Sequence, residues 1–212
     1  TNILQDKTNV TFVYEKGDEM QVPVKIQLVG RPSDQPREIA LTVSSEDAQE
    51  GVDYVLPEKA ELPAGETTLE YMITLKRTAI LKSQQKHIQI SLQPNAFFTL
   101  PVTEETNANG DVVTTLSYEI IFSDQFTTAP KAWKTDLLGD FTQQKFELAC
   151  KVLDLDPADF NDESKMTLAM QSYVSTEMQS YVKEQQKLRN SGKTYDADAF
   201  DAQGNALVFY GE

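Results

Sequence analysis

The stretch Glu50-Gly51-Val52-Asp53-Tyr54, followed by Leu62-Pro63-Ala64-Gly65-Glu66-Thr67, determines the fold class of this chain. Each segment holds a glycine where a tight turn needs one. After the second turn, apolar residues occupy every second position, at Leu69, Tyr71, Ile73 and Leu75. A turn that leads into a period-two apolar strand is typical of an antiparallel sheet that re-enters its core. This part of the sequence therefore predicts a fold rather than a chemistry.

The same alternation recurs up to about residue 126. Six or more short segments show it, in the regions 10–14, 22–28, 39–43, 69–75, 88–92 and 116–122. Turn-forming residues separate these segments, among them the hairpin dipeptide Asn109-Gly110. Strands at this spacing, with no helix between them, predict an immunoglobulin-like antiparallel β-sandwich over residues 1–126. Pro23 favours an edge position for the second strand, because proline cannot donate a ladder hydrogen bond.

After Phe126 the pattern becomes helical. Residues 127–133 are expected to form a connector. A 3.6-residue repeat that includes Phe141, Phe146 and Leu153 predicts a first helix in this region, with Asp140 or Thr142 as its cap. A second stripe predicts a helix from about 164 to 189, preceded by Asn161 or Asp162. Residues 206–210 are expected to form a final strand or an apolar tail that docks on the core. The second region, 127–212, is thus predicted to hold a connector, two helices and a terminal strand.

The composition excludes several classes of partner. The chain has 19 Lys and Arg against 33 Asp and Glu, a formal net charge of −14. Such a surface repels phosphate backbones and anionic lipid headgroups, so nucleic-acid binding and direct membrane-surface roles are disfavoured. The longest apolar runs are far too short to span a membrane.

The residues that most often carry catalysis are scarce. Cys150 is the only cysteine, so an intrachain disulfide and a cysteine zinc cluster are both excluded, and its apolar neighbours predict a buried, slow thiol. His87 is the only histidine and lies on the strand face opposite Ile88 and Ile90, which predicts an exposed side chain. Neither a nucleophile elbow nor a zincin helix is present. We therefore expect no catalytic residue, no cofactor and no metal site.

Two features remain as candidate sites. The densest acidic group is expected to be a solvated loop that caps the next helix, rather than a metal site, because it lacks the register of an EF-hand; it comprises Asp154, Asp156, Asp159, Asp162 and Glu163. Trp133, with Phe126 and Phe141 nearby in sequence, is the best ligand-binding candidate, because carbohydrate-binding sandwiches stack sugars on exposed aromatic rings. Trp133 fits equally well as a filler between sandwich and helices, and we favour this structural role.

A resemblance to known families implies a cellular location for the protein. Gly51-Val52-Asp53-Tyr54 with Pro63-Ala64-Gly65-Glu66-Thr67 resembles the central motif of Calx-beta-type sandwich domains. The further order of Leu75 to Thr78, Leu92 to Asn95, Phe122 to Asp124, Pro130 to Trp133 and Leu138-Gly139 is similar to a family of uncharacterised Bacteroidetes lipoproteins. The resemblance implies an exported protein of the periplasm or cell surface, anchored to the outer membrane by a lipidated cysteine upstream of Thr1. It also implies an association with outer-membrane glycan-uptake systems. Whether a leader was removed before Thr1 or the chain was shortened stays open.

The chain departs from the calcium-binding Calx-beta pattern at one place. Calx-beta domains that hold calcium use an acidic run just after the strand that here ends at Leu75, whereas this chain has Lys76-Arg77-Thr78-Ala79-Ile80-Leu81-Lys82. Cationic side chains there repel Ca²⁺, which needs six to eight oxygen ligands. We expect the fold without the calcium site.

Two functions follow as hypotheses. The first is a non-catalytic envelope module for binding or assembly, with a glycan or an outer-membrane uptake component as its partner. The alternative is a polysaccharide-acting hydrolase that uses paired carboxylates. A hydrolase requires a cleft lined by carboxyl groups whose pKa values are shifted in opposite directions.

Overall fold

The period-two segments form strands in the computed structural model, which describes residues 4–210. Eleven strands are found among these residues: β1 (Lys7–Thr11), β2 (Glu19–Gln27), β3 (Arg37–Glu38), β4 (Ala40–Ser44), β5 (Tyr54–Val55), β6 (Glu61–Leu62), β7 (Thr68–Lys76), β8 (Lys86–Gln93), β9 (Glu104–Thr106), β10 (Val112–Thr114) and β11 (Ser117–Ser123). Three α-helices follow: α1 (Thr135–Leu138), α2 (Gln143–Leu153) and α3 (Leu168–Asn190). Short 3-10 helices cover Phe12–Tyr14, Ala79–Lys82, Pro157–Asn161 and Ala197–Ala199.

Two compact units divide the described chain. We call them the sandwich unit, residues 4–12 and 17–125, and the helical unit, residues 13–16 and 126–210. The sequence prediction put the boundary between 126 and 127 and gave no sign that 13–16 pack with the helices. The lipid attachment predicted upstream of Thr1 lies outside the described residues.

The sandwich unit holds two main sheets. One has the strand order β1-β11-β8-β4 and the other β2-β7-β5. The pairs are antiparallel except β1 with β11, which run parallel. β2 lies at an edge and pairs with β7 over its full length, with Pro23 opposite Met72, as Pro23 predicted. The hairpin at Asn109-Gly110 joins β9 to β10, and Gly110 has the positive φ, 88°, that its turn requires.

The inner faces of the two main sheets form one core. Fully buried side chains come from both, among them Ile73 and Leu75 of β7, Ile88 of β8 and Ile120 and Phe122 of β11. These residues occupy alternate positions in their strands, so the period-two pattern identifies the buried face correctly. The immunoglobulin-like sandwich followed by a helical region is thereby confirmed.

The first strand is shorter than its pattern suggests. The alternation Val10, Phe12, Tyr14 predicted one strand, but β1 ends at Thr11 and a 3-10 turn follows. Tyr14 leaves the sheet and packs edge-on against Phe126 and Phe146, with ring centroids 5.5 and 6.2 Å away. Aromatic packing in the helical unit therefore outweighs continuation of the strand.

The helical unit has its own core. Phe146 of α2 and Val174, Met178 and Val182 of α3 are buried there together with Phe160. Thr142 caps α2 by accepting a hydrogen bond from the Lys145 amide, as predicted. α3 begins later than predicted: Thr167, rather than Asn161 or Asp162, is its N-cap, because 157–161 form a separate 3-10 helix. The final residues form an irregular tail rather than a strand, with Phe209 fully buried.

Membrane insertion has no helical candidate in residues 4–210. None of the helices described there combines the length and the apolar character needed to cross a bilayer.

Candidate functional site

A shallow depression of about 490 Å³ opens on the surface of the sandwich unit. It is formed by the loop 46–53, by the segment 78–80 after β7, and by the start of β8. Its lining residues are Glu46, Asp47, Ala48, Gln49, Val52, Asp53, Thr78, Ile80 and Lys86. The motif that decides the fold thus forms one wall of the depression.

A buried ion pair makes the floor. The Asp53 carboxylate bonds the Lys86 ammonium at 2.7 Å, and Asp53 is only 3% exposed. The second carboxylate oxygen accepts a hydrogen bond from the Gln49 amide, while the Gln49 carbonyl accepts from the Val52 and Asp53 amides. Gly51 has a φ of 83°, which permits this tight turn. The two carboxylate oxygens of Asp53 therefore close the loop and neutralise Lys86.

A second buried pair lies in the same unit. Arg77 donates two hydrogen bonds to Asp124, from Nε at 2.9 Å and from a terminal nitrogen at 2.8 Å. Asp124 is almost fully buried, so this two-pronged arrangement satisfies a carboxylate that would otherwise be costly to bury. Arg77 belongs to the run Lys76 to Lys82, which holds no acidic residue.

His87, the only histidine of the chain, holds the loop 46–53 at the rim of the depression through Asp47. Asp47 accepts from the His87 backbone amide through one carboxylate oxygen and contacts His87 Nδ1 through the other, each at 2.8 Å. Burial is the largest single influence on the pKa of Asp47 and raises it, but the hydrogen bonds from His87 and Ser45, together with the charge of His87, leave the pKa lowered. His87 is half-exposed on the outer side of β8.

Ser45, Asp47 and His87 lie together without forming a catalytic triad. In a triad the serine hydroxyl contacts the imidazole nitrogen that faces away from the carboxylate. Here Ser45 Oγ lies 2.6 Å from the His87 backbone carbonyl and donates to it, and it also lies 3.1 Å from Asp47. The hydroxyl thus serves the loop backbone, and the arrangement does not activate a nucleophile.

The carboxyl groups of residues 4–210 whose pKa values are shifted all shift in the same direction. Wherever the pKa of an Asp or Glu in residues 4–210 departs from its ordinary value, it is lowered, at Asp47, Asp162, Asp196 and Asp201. For Asp162 the main cause is the Ser164 hydrogen bond, and for Asp201 it is the Asn205 hydrogen bond. A general acid needs a raised pKa.

We expect no calcium binding at micromolar concentration. Both buried carboxylates of the sandwich unit, Asp53 and Asp124, already have a protein cation bonded to them, and a Ca²⁺ ion would have to displace it. Isothermal titration calorimetry of the chelator-treated chain with CaCl₂ should give only heats of dilution, and the melting temperature should not change. A micromolar calcium isotherm, with a melting temperature that falls again on chelation, would contradict this prediction.

Trp133, the ligand-binding candidate for which a structural role is favoured, has a covered ring. It is 6% exposed, lies in the core of the helical unit, and donates its indole N–H to the Gly139 carbonyl at 2.9 Å. Phe141 and Phe160 pack against its rings, with centroids 5.1 and 5.9 Å away. A covered ring cannot stack on a sugar, and the burial of Trp133 in the helical unit fits the structural role that is favoured over ligand binding.

The acidic loop between α2 and α3 serves local structure. Asp156 accepts from the Ala158 amide, Asp159 bonds Lys165 at 2.6 Å, and Asp162 accepts from the Ser164 amide. Within residues 4–210, no three His, Cys, Asp or Glu side chains are grouped so as to hold a metal ion. Cys150 is partly buried beside this loop, and burial, with Asp156 and Glu147 adding to it, raises the pKa of its thiol to about 12.

Sequence reasoning missed the Asp53–Lys86 pair, although a signal for it exists. Lys86 occupies the same face of β8 as Ile88 and Ile90, which are buried. A lysine on the apolar face of a strand predicts a buried carboxylate partner. The sequence does not say which of the many Asp and Glu residues supplies it.

The comparisons with known proteins give a family and no activity. No curated protein matches the chain. Among solved structures, the chain is similar to the crystal structure of CBD12 from CALX1.2, at 14% sequence identity and a TM-score of 0.33; the similarity covers 57% of this chain and 42% of that one. The family model described as Domain of unknown function (DUF4843) matches residues 2–155, which is most of the sequence. The chain belongs to the DUF4843 family of domains of unknown function.

Proposed function

We propose that this chain is a non-catalytic binding or assembly module of the cell envelope, and that it engages a protein partner at the depression of the sandwich unit. The observation that carries the proposal is that the charged and the apolar residues lining the depression occupy different places. The charged groups of the floor, Asp53 and Lys86, neutralise each other, whereas the rim exposes apolar side chains. Such a surface is suited to contact and has no group prepared for reaction.

The rim has the chemistry of a protein-docking surface. Val52 is 52% exposed and Ile80 44% exposed, and both border the depression. Glu46 is exposed beside them, and Asp47 adds a second carboxylate. Apolar side chains flanked by carboxylates complement a partner segment that carries both aliphatic and cationic side chains.

A glycan is the less favoured partner. Sugar-binding surfaces use aromatic platforms, and of the described residues that line the depression, none is aromatic. The location in the envelope, with an anchor on the outer membrane and a glycan-uptake system as neighbour, rests on the family resemblance in the sequence. An outer-membrane protein of such a system is the kind of partner we propose.

Polysaccharide binding and hydrolysis measurements separate these alternatives. The purified chain and its Ile80→Asp variant are applied to an array of bacterial and plant polysaccharides, and the same polysaccharides are assayed for released reducing ends. We expect neither binding that depends on Ile80 nor release of reducing ends. Binding lost in Ile80→Asp would identify a glycan module instead, and release of reducing ends would support the hydrolase alternative.

A further inference from the structure

A buried lysine in the helical unit has two carbonyl ligands. Lys145 of α2 is 5% exposed, and its ammonium donates to the Leu138 carbonyl at 2.7 Å and to the Asp140 carbonyl at 2.8 Å. The Gly139 carbonyl between them accepts from the Trp133 indole. All three consecutive carbonyls of the turn between α1 and α2 are thus satisfied by side chains.

The C-terminal segment, residues 205–210, closes the other side of this site. The Lys145 ammonium lies 5.2 Å from the centre of the Phe209 ring and 5.7 Å from the Trp133 ring. Gly139 has a φ of 70°, and a Cβ there would lie 2.9 Å from the Tyr210 carbonyl oxygen and 3.0 Å from Lys145 Nζ. The absence of a side chain at Gly139 lets the segment approach the turn. The Ser175 hydroxyl of α3 holds the segment by donating to the Phe209 carbonyl.

We infer that Lys145 is a built-in cation that fastens the C-terminal segment to the turn between α1 and α2. Carbonyl oxygens and aromatic faces are the groups that bind small cations. In this unit the cation is part of the chain, and it joins the turn, helix α2 and the C-terminal segment. This role is independent of the depression in the sandwich unit.

The buried Lys145 ammonium loses its proton more readily than an exposed lysine does. Burial lowers the pKa of Lys145 to about 8, while the charge of Asp140 opposes the shift. Between about pH 8 and pH 10.5, the ordinary pKa of lysine, Lys145 is protonated in the unfolded chain and deprotonated in the folded chain. Stability therefore rises with pH in this window, relative to a variant that lacks the lysine. The free energy of unfolding of wild type, measured relative to that of Lys145→Met, should accordingly be higher at pH 10 than at pH 7.

Chemical rescue tests the inference. Lys145→Ala removes the side chain beyond Cβ, and propylammonium replaces the missing atoms from Cγ to Nζ. We expect Lys145→Ala to melt well below wild type and to regain several degrees in propylammonium chloride, but not in tetramethylammonium chloride, which has no N–H donor. Lys183→Ala, at an exposed position of α3, is the matched control and should respond to neither salt.

Hydrogen exchange of Lys145→Met gives a second readout. This variant keeps the volume of the side chain and loses the charge, and we expect faster exchange in peptides covering 205–210 and 138–142 than in wild type. Equal rescue of Lys145→Ala by both salts, or unchanged exchange of the C-terminal segment in Lys145→Met, would overturn the inference. If Lys145→Ala does not fold alone, refolding in propylammonium and not in tetramethylammonium supports it, and failure to refold in both contradicts it.

Discussion

Asp53→Asn is expected to lower the free energy of unfolding by about 3 to 5 kcal/mol, the range for removing one partner of a buried ion pair. Asparagine keeps the shape of the side chain but leaves the Lys86 ammonium buried without a counter-charge. The substitution also weakens the hydrogen bond that the side chain accepts from the Gln49 amide. That hydrogen bond closes the turn around Gly51. Urea unfolding followed by far-ultraviolet circular dichroism measures the change.

A control and a double-mutant cycle define the cause. Glu46→Gln removes a carboxylate from the exposed rim of the same depression and should change stability by no more than about 0.5 kcal/mol. Lys86→Met alone should also lower the free energy of unfolding strongly, because it leaves the Asp53 carboxylate buried without a counter-charge. The double variant Asp53→Asn/Lys86→Met should lose less free energy of unfolding than the sum of the two single variants. An Asp53→Asn effect as small as that of Glu46→Gln would mean that the pair is not a structural element.

Trp133→Ala should cost about 3 to 5 kcal/mol, as large aromatic truncations in cores do. The ring is nearly inaccessible, it contacts Phe141 and Phe160, and its N–H bond to the Gly139 carbonyl is lost as well. The change therefore leaves both a cavity and an unsatisfied buried carbonyl. Trp133 is the only tryptophan, so circular dichroism rather than fluorescence must follow the denaturation.

Tyr173→Ala is the matched control for this prediction. Tyr173 is exposed on α3, so truncating it should shift stability only within the range of surface substitutions, about 0.5 kcal/mol. If Trp133→Ala behaves like Tyr173→Ala, the ring does not fill the core of the helical unit. Trp133 would then return as a candidate for sugar binding.

The strands were predictable because their pattern is local. A one-residue shift would turn the whole apolar set of a strand outward, so Ile88 and Ile90 fix the buried face of β8 from sequence alone. The end of β1 was not predictable in the same way. Tyr14 fits the alternation, and its removal from the sheet depends on Phe126 and Phe146, which lie far along the chain.

The candidate site depends on pairings between distant residues. Asp53 and Lys86 are 33 positions apart, and Arg77 and Asp124 are 47 apart. Their sequence neighbourhoods identify a turn, a strand and a cationic run, but nothing local selects the partners among 33 acidic residues. For Trp133 the sequence left two roles open, with the structural one favoured, because its burial depends on packing against residues distant in the chain.

Site-specific photo-crosslinking in cells tests most directly the claim that the depression binds a protein partner. A photoreactive phenylalanine analogue replaces Val52 at the rim or, as a control, Val112, which is exposed on β10 outside the depression. The chain is expressed in the organism that encodes it and irradiated. We predict a discrete crosslinked protein with the analogue at 52, absent with the analogue at 112, and lost when Ile80→Asp is added while the melting temperature is unchanged. Equal crosslinking from both positions, or none from position 52, would contradict the account.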